Sequence, residues 1–226
     1  MPLTKLNKVG GSSAYEHFSS KQLHELTIEE LAYVHLNRTH AFTHLNNQKL
    51  SSSLYDFLET AQASANNSRT RIYTPMLACF AVLDQIGGAY RRKSMTSQYQ
   101  NGIKVALDLF GTYSKEEIEH LTTLRNGIYH DGSLLSKNRN GKTNVTFRLS
   151  SSASKTITMP EKAWDGFYHD SLTEYTSKIN VRLLKNDVEQ IVKNRMDHLL
   201  NGELVFNISD CREFFYKFLF PSEIQA

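Results

Sequence analysis

Apolar positions change period along this chain. Within a polar first fifty residues, "TIEELAYVHL" sets Ile28, Leu31, Val34 and Leu36 in an imperfect helical pattern. Leu54, Phe57, Leu58 and Ala61 follow a run of serine caps at helical spacing, which predicts a helix over 52–65. The loop "NNSRTRIY" leads to Pro75–Ala89, apolar on nearly every side apart from Asp84 and Gln85, the pattern of a central buried helix. Thr74-Pro75 suits its start, because proline early in a helix forfeits no needed N–H. Gly87 and Gly88 let it end, or let another helix approach closely. Ile103, Leu107 and Phe110 share one face of a shorter helix within 97–110, stopped by Gly111. Ser114 with Glu117 makes a capping box, which opens a fourth helix expected to reach about His130 and to end near Gly132.

After Gly132 the period shortens to two. Val145, Phe147 and Leu149 alternate with polar residues, as do Ile157 and Met159 beyond a serine-rich turn, which predicts a β-hairpin. "KNRNGK" before it reads as an exposed loop. Residues 161–185 carry mixed helical character, with Leu172, Tyr175 and Ile179 in phase. Asp187 and Gln190 resemble a second capping box, followed by a stripe of Val188, Ile191, Val192, Leu199 and Leu200 closed by Gly202. "ELVFNI" suits a short strand, and "DCREFFYKFLF" a terminal helix stopped by Pro221. The expected fold is mainly α. It divides into a partly helical segment 1–50, a helical core 51–135, and a hairpin with C-terminal helices, 136–226, packed on that core.

Composition narrows the class. The chain has 226 residues, 40% hydrophobic and 22% charged, ordinary values for a folded globular protein. Cys79 and Cys211 lie far apart in apolar segments and read as buried free thiols of a reducing compartment. The first residues lack the apolar core of a signal peptide, and "MLACFAVL" is too short to span a bilayer, so a cytoplasmic protein without membrane association is expected. Net charge is only +3. Its distribution says more: residues 66–95 carry a net +4 and residues 125–155 a net +5. If the two segments meet in space they form a basic surface suited to phosphates; scattered, solvated lysines and arginines are the plain alternative.

The densest chemistry lies in "LRNGIYHDG", residues 124–132. On a helical wheel Leu124 and Ile128 join Ile118 and Leu121 on the apolar arc, while Arg125, Asn126 and His130 share one flank. Arg125 and His130 stand about 140° apart, not stacked, yet both can reach a groove beside the helix. Spacing alone leaves two readings open, a reactive site or a polar helix end whose cations suit the macrodipole.

The order of helices and the Arg125-x4-His130 spacing, with Asn126 directly after the arginine, resemble the HEPN superfamily (higher eukaryotes and prokaryotes nucleotide-binding domains). The resemblance covers roughly residues 52–132. It implies a HEPN-like helical bundle, here with an inserted β-hairpin and a C-terminal helical extension. It also implies metal-independent RNA cleavage, in which His130 moves protons, Arg125 stabilises charge on phosphate and Asn126 orients the histidine or holds phosphate. Two protomers facing each other across their motif helices would complete the site, so a homodimer is expected, with RNA and an antitoxin or other protein as partners. Arg91, Arg92, Lys137 and Arg139 are the expected RNA-binding residues; no metal or cofactor is required. The alternative implied by the same resemblance is a non-catalytic dimeric interaction or nucleic-acid-binding module. His40 and His44 are spaced i, i+4, but no Glu or third ligand completes a metal site, and surface histidines on a polar helix are the plainer reading. Trp164, with Phe167 and Tyr168, reads as core before it reads as a base-stacking platform.

Overall fold

A computed structural model describes residues 3, 6, 12–137 and 144–223. Among these residues eight α-helices and nine strands in three sheets make a mixed α/β protein, with helix at 51% and strand at 17%. This corrects the expectation of a mainly α bundle with one hairpin. Strands do form at Val145–Leu149, Ile157–Thr158 and Leu204–Phe206, where strand patterns were expected; the others, also two to five residues long, are too short for alternation to stand out against flanking helical periods.

The first segment holds α1 (Ser12–Phe18), α2 (Ile28–Leu36), β1 (Phe42–His44) and β2 (Gln48–Ser52). The four expected helices follow as α3 (Ser53–Ala65), α4 (Tyr73–Ala89), α5 (Gly102–Phe110) and α6 (Lys115–Asp131), with β3 (Tyr90–Arg92) after α4. Pro75 sits in the first turn of α4, where the backbone N–H groups have no intrahelical partner. Met76, Phe80, Val82, Leu83 and Ile86 of α4 are fully buried, as its all-round apolarity predicts. Burial of each such side chain contributes about 1.5–3 kcal/mol. Gly87 explains how α5 crosses α4: a Cβ there would stand 1.8 Å from the Gly102 carbonyl oxygen, so only glycine permits the crossing.

The rest comprises β4 (Leu135–Ser136), β5 (Val145–Leu149), β6 (Ile157–Thr158), β7 (Thr176–Ile179), α7 (Val181–Leu200), β8 (Leu204–Phe206), α8 (Cys211–Phe218) and β9 (Leu219–Glu223). β5 and β6 do not form a hairpin. β7 lies between them, parallel to β5 and antiparallel to β6, in the order β4-β5-β7-β6. β7 falls where a helical phase was expected, and α7 starts at Val181, capped by Asn180, rather than at Asp187. The last helix also ends earlier than Pro221. That proline lies in β9, an edge strand paired only with β2, where its missing N–H is tolerated. β2 thus ties the first fifty residues to the chain's end. One hydrophobic cluster runs from Leu6 to Leu219. His40 and His44 do not share a helix: His40 lies in a loop and His44 on β1.

Candidate functional site

Helix α6 is set at both ends by its sequence. At its start the Ser114 hydroxyl accepts from the Glu117 N–H at 3.2 Å, and the Glu117 carboxylate accepts from the Ser114 N–H at 2.8 Å. At its end Gly132 adopts φ 59°, a left-handed cap. Leu124 and Ile128 are buried, which fixes the rotation of the helix and turns the motif flank outward. The glycine of the motif is structural. Gly127 is buried, and a Cβ there would stand 2.9 Å from the Ser133 carbonyl oxygen where the chain folds back toward β4.

Arg125 is half-buried and oriented by three neighbours. Its guanidinium lies 4.4 Å from the Tyr129 ring centroid, donates to Asn126 Oδ1 at 3.2 Å and reaches the Asp84 carboxylate of α4 at 3.3 Å. Asp84 is a weakly committed partner: burial raises its carboxyl pKa, and Arg125 only partly offsets this. The side chain has five N–H donors, so each terminal nitrogen keeps one beyond these contacts. Asn126 and His130 are exposed, and His130 has no hydrogen-bond or ionic partner among the described residues. Glu119 pairs with Lys104 at 2.6 Å instead of with the motif. Asp131 is exposed and makes no bond to His130.

Of the expected RNA-binding residues, Arg91 and Arg92 lie away from this flank. Tyr129 Oη reaches the Leu77 carbonyl at 3.5 Å and Arg125 reaches Asp84, so α6 runs antiparallel along α4. Arg91 donates to the carbonyls of Gly87 and Tyr90, at the end of α4 away from His130. Gly87 is ten residues beyond Leu77, about 15 Å at the helical rise. Arg92 reaches the Leu109 carbonyl at 3.5 Å, at the end of α5. These two arginines hold helix C-terminal carbonyls, where positive charge also complements the dipole. Lys137 is exposed, its ammonium 5.7 Å from the Tyr168 ring centroid. Arg139 lies outside the described residues.

A basic cleft that the sequence reading did not single out lies beside α3, α4 and the start of α7. It has a volume near 710 Å³ and is lined by Arg71, Arg182 and Lys185, with Asn66, Ser150 and Ser151, and no carboxylate. Arg71 comes from the first basic segment, but the second contributes only Leu149, Ser150 and Ser151, so the cleft's other cations, Arg182 and Lys185, come from α7. A smaller cleft of about 380 Å³ contains Asp187, whose carboxylate accepts from the Tyr113 and Thr156 hydroxyls at 2.5 Å each. Burial and this carboxylate push the Tyr113 pKa up. Among the described residues no group of three or more His, Cys, Asp or Glu side chains is placed to hold a metal ion.

His35 of α2 is fully buried. It bonds Tyr90 Oη at 2.7 Å and Gln85 Oε1 at 3.0 Å. Burial lowers its pKa to about 4, against a smaller opposing effect from Gln85, so it is a neutral core residue. Trp164 is buried and donates to the Phe167 carbonyl at 2.7 Å, while Phe167 and Tyr168 are exposed. Cys79 and Cys211 are free thiols, the first buried.

No protein-family model matches this chain, and neither curated proteins nor solved structures give a match. No helix among the described residues is long and apolar enough to cross a membrane.

Proposed function

We propose that the chain is a metal-independent endoribonuclease whose site is centred on Arg125, Asn126 and His130 and completed by a second copy of the chain across α6. The reading rests on the motif itself, since the fold is not the mainly α bundle that the family resemblance implied. The observation that carries it is the exposure of this flank. An oriented guanidinium and an unpartnered imidazole share the C-terminal half of one helix, facing outward. In the proposed reaction His130 takes the proton of an RNA 2′-OH, and the 2′-oxygen attacks the adjacent phosphorus. Arg125 stabilises the charge that builds on the phosphorane oxygens. The 5′-oxygen departs as it gains a proton from the second protomer's histidine, leaving a 2′,3′-cyclic phosphate. DNA lacks the nucleophile and would be inert. The basic cleft at Arg71, Arg182 and Lys185 offers a surface for further phosphates of the strand.

The contact of Arg125 with Asp84 favours a second reading, in which the flank is a non-catalytic docking face for a partner protein or nucleic acid. Cleavage of single-stranded RNA in EDTA separates the two. Activity in the wild type that falls about 100-fold or more in Arg125→Ala and His130→Ala is expected. A wild type that cuts no RNA, or variants that cut equally well, would leave the docking reading.

A further inference from the structure

Arg195 breaks the usual rule for arginine. It lies in α7 at 1% exposure, with its guanidinium carbon 3.3 Å from the Phe110 ring centroid. Its Nε and Nη1 are buried and have no hydrogen-bond acceptor. Arg92 of β3 stands close enough to repel it, and the Nε of Arg92 is likewise buried without an acceptor. The one carboxylate that favours the charge, Glu203, is engaged by His198 Nδ1. Burial and Arg92 lower the Arg195 pKa to about 9, with Glu203 opposing, so its guanidinium is cationic at neutral pH.

Two guanidinium groups with unspent donors in a desolvated place are costly unless an anion joins them. Each is fixed by a contact that does not neutralise it. Arg195 lies over Phe110, and Arg92 reaches the Leu109 carbonyl at 3.5 Å, both at the C-terminal end of α5. Planar forks held in this way suit bidentate recognition of an oxyanion, and a pair of them matches the double charge of a phosphate group better than a carboxylate does.

We propose that Arg92 and Arg195 form a phosphate-binding site at the C-terminal end of α5, distinct from the α6 motif, which adjoins the α5 start through Asp84 and Gly102. Half-buried Arg92 is the side from which the ligand enters. The near-complete burial of Arg195 excludes the internal phosphodiesters of a polymer, so the ligand is a compact terminal phosphate, free or at the end of a small molecule.

The test is a melting-temperature and calorimetric titration of the full chain with inorganic phosphate, with AMP, and with adenosine and sodium chloride at matched ionic strength. A saturating rise in melting temperature is expected with phosphate, AMP or both, and none with the controls; the better of the two identifies free or esterified phosphate. Arg92→Gln and Arg195→Met should abolish the rise. Without phosphate, Arg195→Met should melt no lower than the wild type, because it removes an uncompensated buried charge while keeping the apolar stem over Phe110. Absence of a phosphate-specific rise in the wild type overturns the proposal, as does an undiminished rise in Arg92→Gln, which decides the matter even if Arg195→Met does not fold. A destabilised Arg195→Met together with no phosphate response would make Arg195 a packing residue only.

Discussion

An arginine from another helix lies near each end of α5, Arg125 of α6 and Arg195 of α7, and the two are held in opposite ways. At its start, Gly102 packs on Asp84, which receives Arg125; that arginine is partly exposed and its charge is partly met. At its end, Phe110 underlies Arg195, which is buried and unmet. The contrast separates a side chain that the fold presents from one that the fold must accommodate. The first keeps donors on an accessible flank, although its Nε is buried without an acceptor, and in the proposed reaction would meet transition-state charge, whereas under the phosphate-site proposal the second ties stability to whatever neutralises it.

The largest expected effect falls on the exposed end. Arg125→Lys keeps the charge but loses the planar fork, so RNA cleavage should drop about 100-fold or more, while the melting temperature moves by less than about 2 °C. A large loss of stability in this variant would erase the contrast and mark the Asp84 contact as structural.

The crossing of α4 and α5 is the next place to test it. Gly87→Ala meets backbone at 1.8 Å and should cost about 3 kcal/mol or more in urea unfolding. Gly88→Ala beside it meets nothing within 4 Å and should be neutral or stabilise by about 0.5–1 kcal/mol. Equal effects from these neighbours would mean that the crossing is looser than its geometry.

A buried histidine extends the contrast to pH. His130 is exposed, but His35 is buried with its pKa lowered to about 4. Its folded pKa lies below the unfolded value, so the unfolded chain takes up the proton first. Stability is therefore full above the unfolded pKa and is lost as pH falls toward the folded one, by roughly 2 kcal/mol by about pH 5. Unfolding free energies at about pH 7 and about pH 5 should fall less steeply in His35→Gln, and an unchanged slope would place the acid sensitivity elsewhere.

The smallest effect concerns the motif helix itself. Ser114→Ala removes its N-cap and should cost about 1 kcal/mol while leaving the cleavage rate unchanged, because the cap lies more than two turns from Arg125. A coupled loss of activity would mean that the motif end senses fraying at the far end.

Much of the first half was legible because long helices repeat their pattern. The boundaries of α3 to α6, the capping box at Ser114 and the stop at Gly132 all follow from side chains acting on neighbours within a few residues. The β-sheets were not legible in the same way. β7 spans four residues with Ile179 as its one apolar member, which also fits a helical phase with Leu172 and Tyr175, and its place between β5 and β6 depends on pairing across long stretches of chain. Pro221 reads locally as a stop, but an edge position removes the objection to proline in a strand. Arg195 had a signal that went unused: it stands four residues after Ile191 and four before Leu199, inside the apolar stripe of α7.

The sequence by itself determined helices α3 to α6, where the motif helix begins and ends, and that Arg125, Asn126 and His130 lie off its apolar arc, because those outcomes depend on interactions within one helix. Tertiary structure alone decided that Arg91 and Arg92 hold helix ends away from that flank, that Arg71 and Lys185 line one cleft, and that Arg92 stands close enough to repel Arg195. Those placements follow from how the elements pack, which depends on close approaches such as Gly87 against Gly102 between residues far apart in the chain.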